Sequence, residues 1–424
     1  MLDQSLFERL KAMGVRIGMQ DLAPPAIKPR IVNNLTQILP GEWRSTLYGE
    51  TYVVSTIYPE DHCHGRHPLR IHTPPEIIAL WAKEPLLADI PPEDYAFLDI
   101  ETTGLTGSAG TYAFLIGVGR FKEGEYHLEQ FFLQDLSKEA AQLAALTEFM
   151  HNSRALVTFN GKSFDIPFLQ TRFIMQGMTF PFSGICHLDL LHLARKLWRE
   201  RLPSRSLIDI EAKILDILRD VEDVPSWIIP QLYIDYLDTG DARFIKSVFY
   251  HNLKDVLSMV SLLNHIADLL IDPLNRPDTS AVDLFGIAKL NETLKQREAA
   301  IAVYAQSLVL GLPEDLYLQT LTNLSLLYKQ MNDWKSALCL WEEAANAGQI
   351  EACIELAKYY EHHEPILEVA IEWTERADKI LKQKKLARVE RTRLKTMLDR
   401  RRERLLHKIM LKVKKSDKLM TEKT

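Results

Sequence analysis

The run Phe97-Leu98-Asp99-Ile100-Glu101-Thr102-Thr103-Gly104-Leu105 sets two carboxylates two residues apart at the end of an apolar stretch. Tyr95, Ala96, Phe97, Leu98 and Ile100 predict a buried strand, whose period of two puts Asp99 and Glu101 on one face. Like charges that close are unfavourable unless a proton or cation separates them, and hard oxygen ligands favour Mg²⁺ or Mn²⁺. Alone, the pair also describes a solvated strand terminus, so the acidic residues downstream matter. In Val157-Thr158-Phe159-Asn160-Gly161-Lys162-Ser163-Phe164-Asp165 an Asn-Gly turn signal precedes an amphipathic segment. Asp165 then falls in the opening turn of a helix, where an acidic residue also serves as a plain cap. In Tyr250-His251-Asn252-Leu253-Lys254-Asp255, within a periodic apolar segment running to about Leu270, His251 and Asp255 share a helical face at a spacing of four.

Together with the intervening His187-Leu188-Asp189-Leu190-Leu191-His192-Leu193-Ala194-Arg195-Lys196-Leu197-Trp198, these segments resemble the DEDD (DnaQ-like) superfamily of 3′ to 5′ exonucleases, and within it the YprB-like branch. The resemblance covers residues 91–272. It implies an α/β ribonuclease H-like mixed sheet flanked by helices, with metal-binding carboxylates at Asp99, Glu101, Asp165 and Asp255. Members of the superfamily carry their general base as a His five residues before the last Asp or a Tyr four before it. Here Tyr250 stands at the first spacing and His251 at the second. The assignment goes to His251, which a regular helix keeps beside Asp255 and whose imidazole titrates near neutral pH. Four converging carboxylates could hold two divalent ions roughly 3.5 to 4 Å apart about a scissile phosphate. His251 would take the proton of the attacking water. Lys162 and Ser163 are candidates for a backbone phosphate, and Asp189 for a helix cap.

To position these groups the chain must build a sheet and cover it. The pattern predicts further strands over residues 111–120, 125–133 and 155–159, a helix over 137–151, and several helices up to residue 270, compatible with a mixed sheet under helices. Residues 1–90, punctuated by Pro24-Pro25, Pro29, Pro74-Pro75 and Pro91-Pro92 and holding one strand over 51–58, read as an accessory segment. Asp272-Pro273-Leu274-Asn275-Arg276-Pro277-Asp278 reads as a linker. From 281 to 380 a pattern recurs: Glu298-Ala299-Ala300 with Tyr304, Lys335-Ser336-Ala337 with Trp341, and Leu367-Glu368-Val369-Ala370 with Trp373. The spacing is near that of tetratricopeptide-type helix pairs, with Leu321, Leu324 and Tyr328 as first-helix contacts, and stacked pairs present a concave surface to a protein partner.

At 424 residues and 46% hydrophobic content the chain is long enough for two or three domains. No apolar run approaches the roughly 18 residues of a membrane span, and Met1-Leu2-Asp3-Gln4-Ser5-Leu6-Phe7-Glu8-Arg9 lacks a basic region followed by an apolar core, so a cytoplasmic location is expected. The four cysteines, Cys63, Cys186, Cys339 and Cys353, are scattered, as suits a reducing compartment. His62, Cys63, His64 and His67 crowd zinc-type ligands too closely to surround one tetrahedral ion easily. Charge is uneven: residues 379–424 hold 18 Lys or Arg against 5 Asp or Glu, and residues 1–378 hold 33 against 52. The region 381–424 therefore reads as a basic, long exposed helix able to bind phosphates. The expected function is that of a metal-dependent 3′ to 5′ exonuclease on single-stranded DNA or RNA. The alternative is a catalytically inactive nucleic-acid-binding or scaffolding protein acting through repeats and tail.

Overall fold

The computed structural model describes residues 35–104, 110–276 and 279–421, with side chains through residue 414. Leu105, the first nine residues, Pro24, Pro25, Pro29, and Pro277 and Asp278 of the expected linker lie outside the described residues. The sheet is built from β1 (Gly41–Thr46), β2 (Gly49–Pro59), β3 (Tyr95–Thr102), β4 (Ala113–Lys122), β5 (Glu125–Phe132), β6 (Ala155–Thr158) and β7 (Cys186–Asp189). Their spatial order is β1-β2-β5-β4-β3-β6-β7. Pairing is antiparallel from β1 through β3 and parallel for β3 with β6 and β6 with β7. A parallel neighbour needs a crossover connection. Here α2 (Glu139–Phe149) supplies it between β5 and β6, and α3 (Asp165–Met175) between β6 and β7; α1 (Pro75–Ala82) precedes β3.

Strand β3 lies inside the sheet, between β4 and β6. Tyr95, Ala96, Phe97 and Leu98 are buried whichever face they point to, as befits a strand covered on both sides, and only the end bearing Asp99 and Glu101 opens toward solvent. The segment expected to be accessory contributes two strands to this same sheet, where one was foreseen. Buried Tyr52, Val53 and Val54 of β2 seat it beside β5, and β1 forms the edge.

Helices cover both faces, α2 and α3 on one and α4 (Leu190–Leu197), α5 (Ile229–Thr239) and the 29-residue α6 (Arg243–Ile271) on the other; then follow α7 (Ala281–Thr293), α8 (Arg297–Leu310), α9 (Glu314–Gln330), α10 (Trp334–Asn346), α11 (Ile350–His362), α12 (Leu367–Gln383) and α13 (Arg388–Thr421). One continuous core joins β3, α4 and α6 to Leu284, Phe285, Ala300 and Tyr304 of α7 and α8, so the helical region is packed onto the sheet layer. Of the crowded histidines, His64 bonds Ser258 at 2.8 Å and His67 bonds His265 at 3.1 Å, pinning the hairpin Cys63–His64/His67–Pro68 to α6.

In the helical region Ala300, Ala337 and Ala370 are fully buried, which lets neighbouring helices approach closely. The basic helix α13 differs from the exposed arm read from its composition. Leu394, Leu398 and Leu405 are buried, and Arg401, Arg404 and Lys408 each reach Glu361 of α11 at 2.8 Å. Three leucines on one face were enough to dock its first half, and part of its charge is spent within the chain.

Candidate metal centre

Asp99 and Glu101 leave the end of β3 on one face, and α6 crosses that strand end. Asp99 stands opposite Gly117 of β4, and the missing side chain there admits Asn252 of α6; a Cβ on Gly117 would lie 2.1 Å from the Asn252 amide oxygen. The Asn252 amide donates to Asp99 Oδ2 at 2.9 Å and accepts from Gln130 Nε2 at 2.9 Å, which fixes the orientation of that carboxylate. Asp165 is the first residue of α3. Before it, Asn160 takes a left-handed backbone conformation that Asn tolerates, with φ 72°. The expected cap Asp189 holds this turn, accepting the backbone N–H groups of Asn160 and Lys162 at 2.9 and 3.1 Å and that of Leu191 at the start of α4.

One turn of α6 places His251 and Asp255 side by side. Ligand atoms of Glu101, His251 and Asp255 all lie within 4.8 Å of one another. Tyr250 points elsewhere: its hydroxyl donates to Asp220 at 2.9 Å, and burial, then that carboxylate, push the phenol up to about 12. His251 Nδ1 lies 2.7 Å from Asp223 Oδ1 and 3.1 Å from the Arg219 guanidinium; the shorter contact is satisfied when Nδ1 carries the proton, and the other nitrogen then faces Ser226, Asp255 and Glu101 at 3.3, 3.6 and 3.9 Å.

The four carboxylates share one field. Loss of solvent, then the charges of Asp255, Glu101 and Asp165, hold the Asp99 carboxyl well above its ordinary range. Burial, then Asp255 and Asp165, do the same to Glu101. Burial with repulsion from Asp189 and Asp255 pushes Asp165 up to about 7, against backbone hydrogen bonds that pull the other way.

Arg219 enters this field from the segment between residues 215 and 226, which nothing in the sequence singled out: it has neither periodicity nor a motif. The guanidinium donates to Glu211 at 2.6 and 2.7 Å and to Asp255 Oδ1, and lies 3.4 Å from Asp223. Burial alone would lower its pKa, but Glu211 and Asp255 outweigh that and raise it. Among the described residues one guanidinium faces the carboxyl groups of Asp99, Glu101, Asp165, Asp255, Glu211 and Asp223, which cannot all ionise without a further cation. Hard oxygen donors with one imidazole and uncompensated charge fit Mg²⁺ or Mn²⁺. A cavity of about 620 Å³ opens over Asp255 and His251, walled by Phe159, Asn160, Arg195 and Arg205. Lys162 and Ser163 are exposed on the turn beside Asp165.

A family model, RNase_H_2 of the RNase_H superfamily, matches residues 96–267, the span that holds all four carboxylates and His251. Uncharacterized protein YprB of Bacillus subtilis (strain 168) is 33% identical over 315 residues, covering 72% of this chain and 75% of the relative. The chain belongs to the YprB family of the RNase H superfamily. Among solved structures, the family B DNA polymerase from the hyperthermophilic archaeon Pyrobaculum calidifontis is similar at 16% identity and a TM-score of 0.32, over 50% of this chain and 29% of the polymerase chain. The mixed sheet under flanking helices is thus the RNase H-like fold expected for the YprB branch, followed by an all-helical region. Among the described residues no helix is long and apolar enough to cross a membrane.

Proposed function

We propose that this chain is a metal-dependent nuclease, a 3′ to 5′ exonuclease that hydrolyses phosphodiester bonds in single-stranded DNA or RNA. The observation that carries this reading is the meeting of Glu101, Asp255 and His251 beside Asp99, in a pocket whose crowded carboxyl groups can ionise together only around a cation. Two Mg²⁺ or Mn²⁺ ions, held by Asp99, Glu101, Asp165 and Asp255, would neutralise the phosphate and lower the pKa of water. Asn252 orients Asp99 at the strand end, and Asp223 orients the His251 ring so that Nε2, beside Ser226, Asp255 and Glu101, would accept the proton of the attacking water. Exposed Lys162 and Ser163 would steady a backbone phosphate next to the scissile one. Polarity follows from the resemblance to 3′ to 5′ exonucleases. The buried alanines of the helical region support tetratricopeptide-like pairs, whose concave side would receive a protein partner.

The alternative, a nucleic-acid-binding scaffold without chemistry, is favoured by one observation: Arg219 already occupies Asp255. End-labelled single-stranded DNA and RNA, incubated with Mn²⁺ or with chelator, separate the two. The nuclease reading predicts Mn²⁺-dependent shortening that the folded Asp99→Asn variant cannot perform. Binding without shortening would support the scaffold, and full-rate cleavage by Asp99→Asn would refute the site.

A further inference from the structure

The body of the chain is acidic, yet one cleft is lined by four cations. Arg195 and Lys196 of α4 and Arg199 just beyond it face Lys289 of α7 across a cavity of about 390 Å³, with Phe285 and Leu290 buried beneath. The first three are exposed, and Lys289 is half-buried with its ammonium 5.2 Å from the centre of the Phe285 ring. Among the described residues Arg199 has only its chain neighbour Glu200, at 3.8 Å, and no ion pair is formed by Arg195, Lys196 or Lys289. Of the two acids in the cleft, Glu292 is engaged by the Tyr304 hydroxyl at 2.9 Å. Among the described residues this positive charge meets no acid other than Glu200, and residues 1–378, with 33 basic against 52 acidic side chains, make it stand out.

The cleft is also fixed in place. Gly286 brings α7 so close to the end of α4 that a Cβ would lie 2.2 Å from the Leu197 carbonyl oxygen, and Arg201 pairs with buried Asp283 behind it. Arg195 lines both this cleft and the cavity that contains His251 and Asp255. The two recesses therefore meet at one side chain. A row of cations continuous with that cavity suits the phosphates of a strand leaving it.

We infer that a single-stranded nucleic acid engaged at the carboxylate centre continues across Arg195 into the cleft between α4 and α7, where Lys196, Arg199 and Lys289 bind its phosphates. The inference rests on the nuclease reading and adds a second phosphate-binding site, so strands long enough to fill both bind better than short ones.

The test uses the full chain in chelator and fluorescent oligothymidylates of about 4 and about 16 nucleotides, the span of common single-strand site sizes. The native protein should prefer the longer strand. In Lys196→Gln/Arg199→Gln/Lys289→Gln that preference should vanish, with the log–log salt slope smaller by about 2, since each phosphate contact on a single strand contributes roughly 0.7. A charge-keeping variant, Lys196→Arg/Arg199→Lys/Lys289→Arg, should retain the native slope. Equal binding of both lengths by native protein, or an undiminished slope in the glutamine variant, overturns the inference. With Mn²⁺ the glutamine variant should still cleave the short strand at the native rate. Cleft-dependent binding without any cleavage by native protein would count against the nuclease reading alone.

Discussion

Replacing Arg219 by Gln removes the guanidinium shared by Glu211, Asp223 and Asp255. Arg219 and Glu211 side chains are only 7% and 1% exposed, so the acids left behind cannot regain solvent without opening the structure. Removing one partner of a buried ion pair costs roughly 3–5 kcal/mol, mostly the penalty of the charge left unpaired. A divalent cation that binds only the folded chain stabilises it by about 2.7 kcal/mol at a hundredfold excess over its dissociation constant. In the native protein that ion must compete with Arg219 for Asp255; in Arg219→Gln it would not. Urea unfolding followed by circular dichroism, in chelator and in Mn²⁺, reads both effects. The variant should lose roughly 3–5 kcal/mol in chelator and gain more from Mn²⁺ than the native chain does. Equal stability in chelator, or an equal Mn²⁺ effect on both proteins, would refute the idea that Arg219 stands in for a metal cation.

Asn252→Ala should cost roughly 1–3 kcal/mol, because Gln130 loses one of its two acceptors and Asp99 its amide donor. Isothermal titration with Mn²⁺ should show affinity lower by about 10- to 100-fold, the usual effect of losing a residue that orients a ligand, and Gly117→Ala, whose new Cβ collides with the same amide, should reproduce it. Glu361 makes an acid-sensitive clamp on α13. Burial pushes its carboxyl up, but the hydrogen bonds and charges of Arg404 and Lys408 outweigh this and hold it down at about 2. A depressed folded pKa contributes stability that is complete above the ordinary glutamate value of about 4.3 and is lost as pH falls toward the folded value. Hydrogen-exchange protection of α13, taken relative to the intrinsic rate at each pH, should fall across that window in the native chain, while Glu361→Gln should be weakly protected already at neutral pH and show no such step.

The acidic residues were legible because their placement is a matter of local periodicity. Alternation along β3 puts Asp99 and Glu101 on one face, and a spacing of four on α6 puts His251 beside Asp255. The same helical geometry separated His251 from Tyr250, whose hydroxyl turns out to be engaged with Asp220. Asn252 sat between these residues unremarked, since its role depends on Gly117 of a different strand. Arg219 was illegible: its partners lie 8, 4 and 36 residues away on a segment without repeat or pattern. The strands of β1 and β2 were half seen, because an edge strand such as β1, with Glu42, Trp43 and Ser45 exposed, carries little apolar signal. The docking of α13 was missed for the opposite reason, its many charges obscuring a sparse line of leucines.

Anomalous diffraction from crystals grown with Mn²⁺ tests the central claim most directly. The account predicts Mn²⁺ bound to carboxylate oxygens of Asp99 and Asp255, with Arg219 withdrawn from Asp255. An absence of Mn²⁺ density at saturating concentration, with the Arg219–Asp255 pair intact, would contradict it.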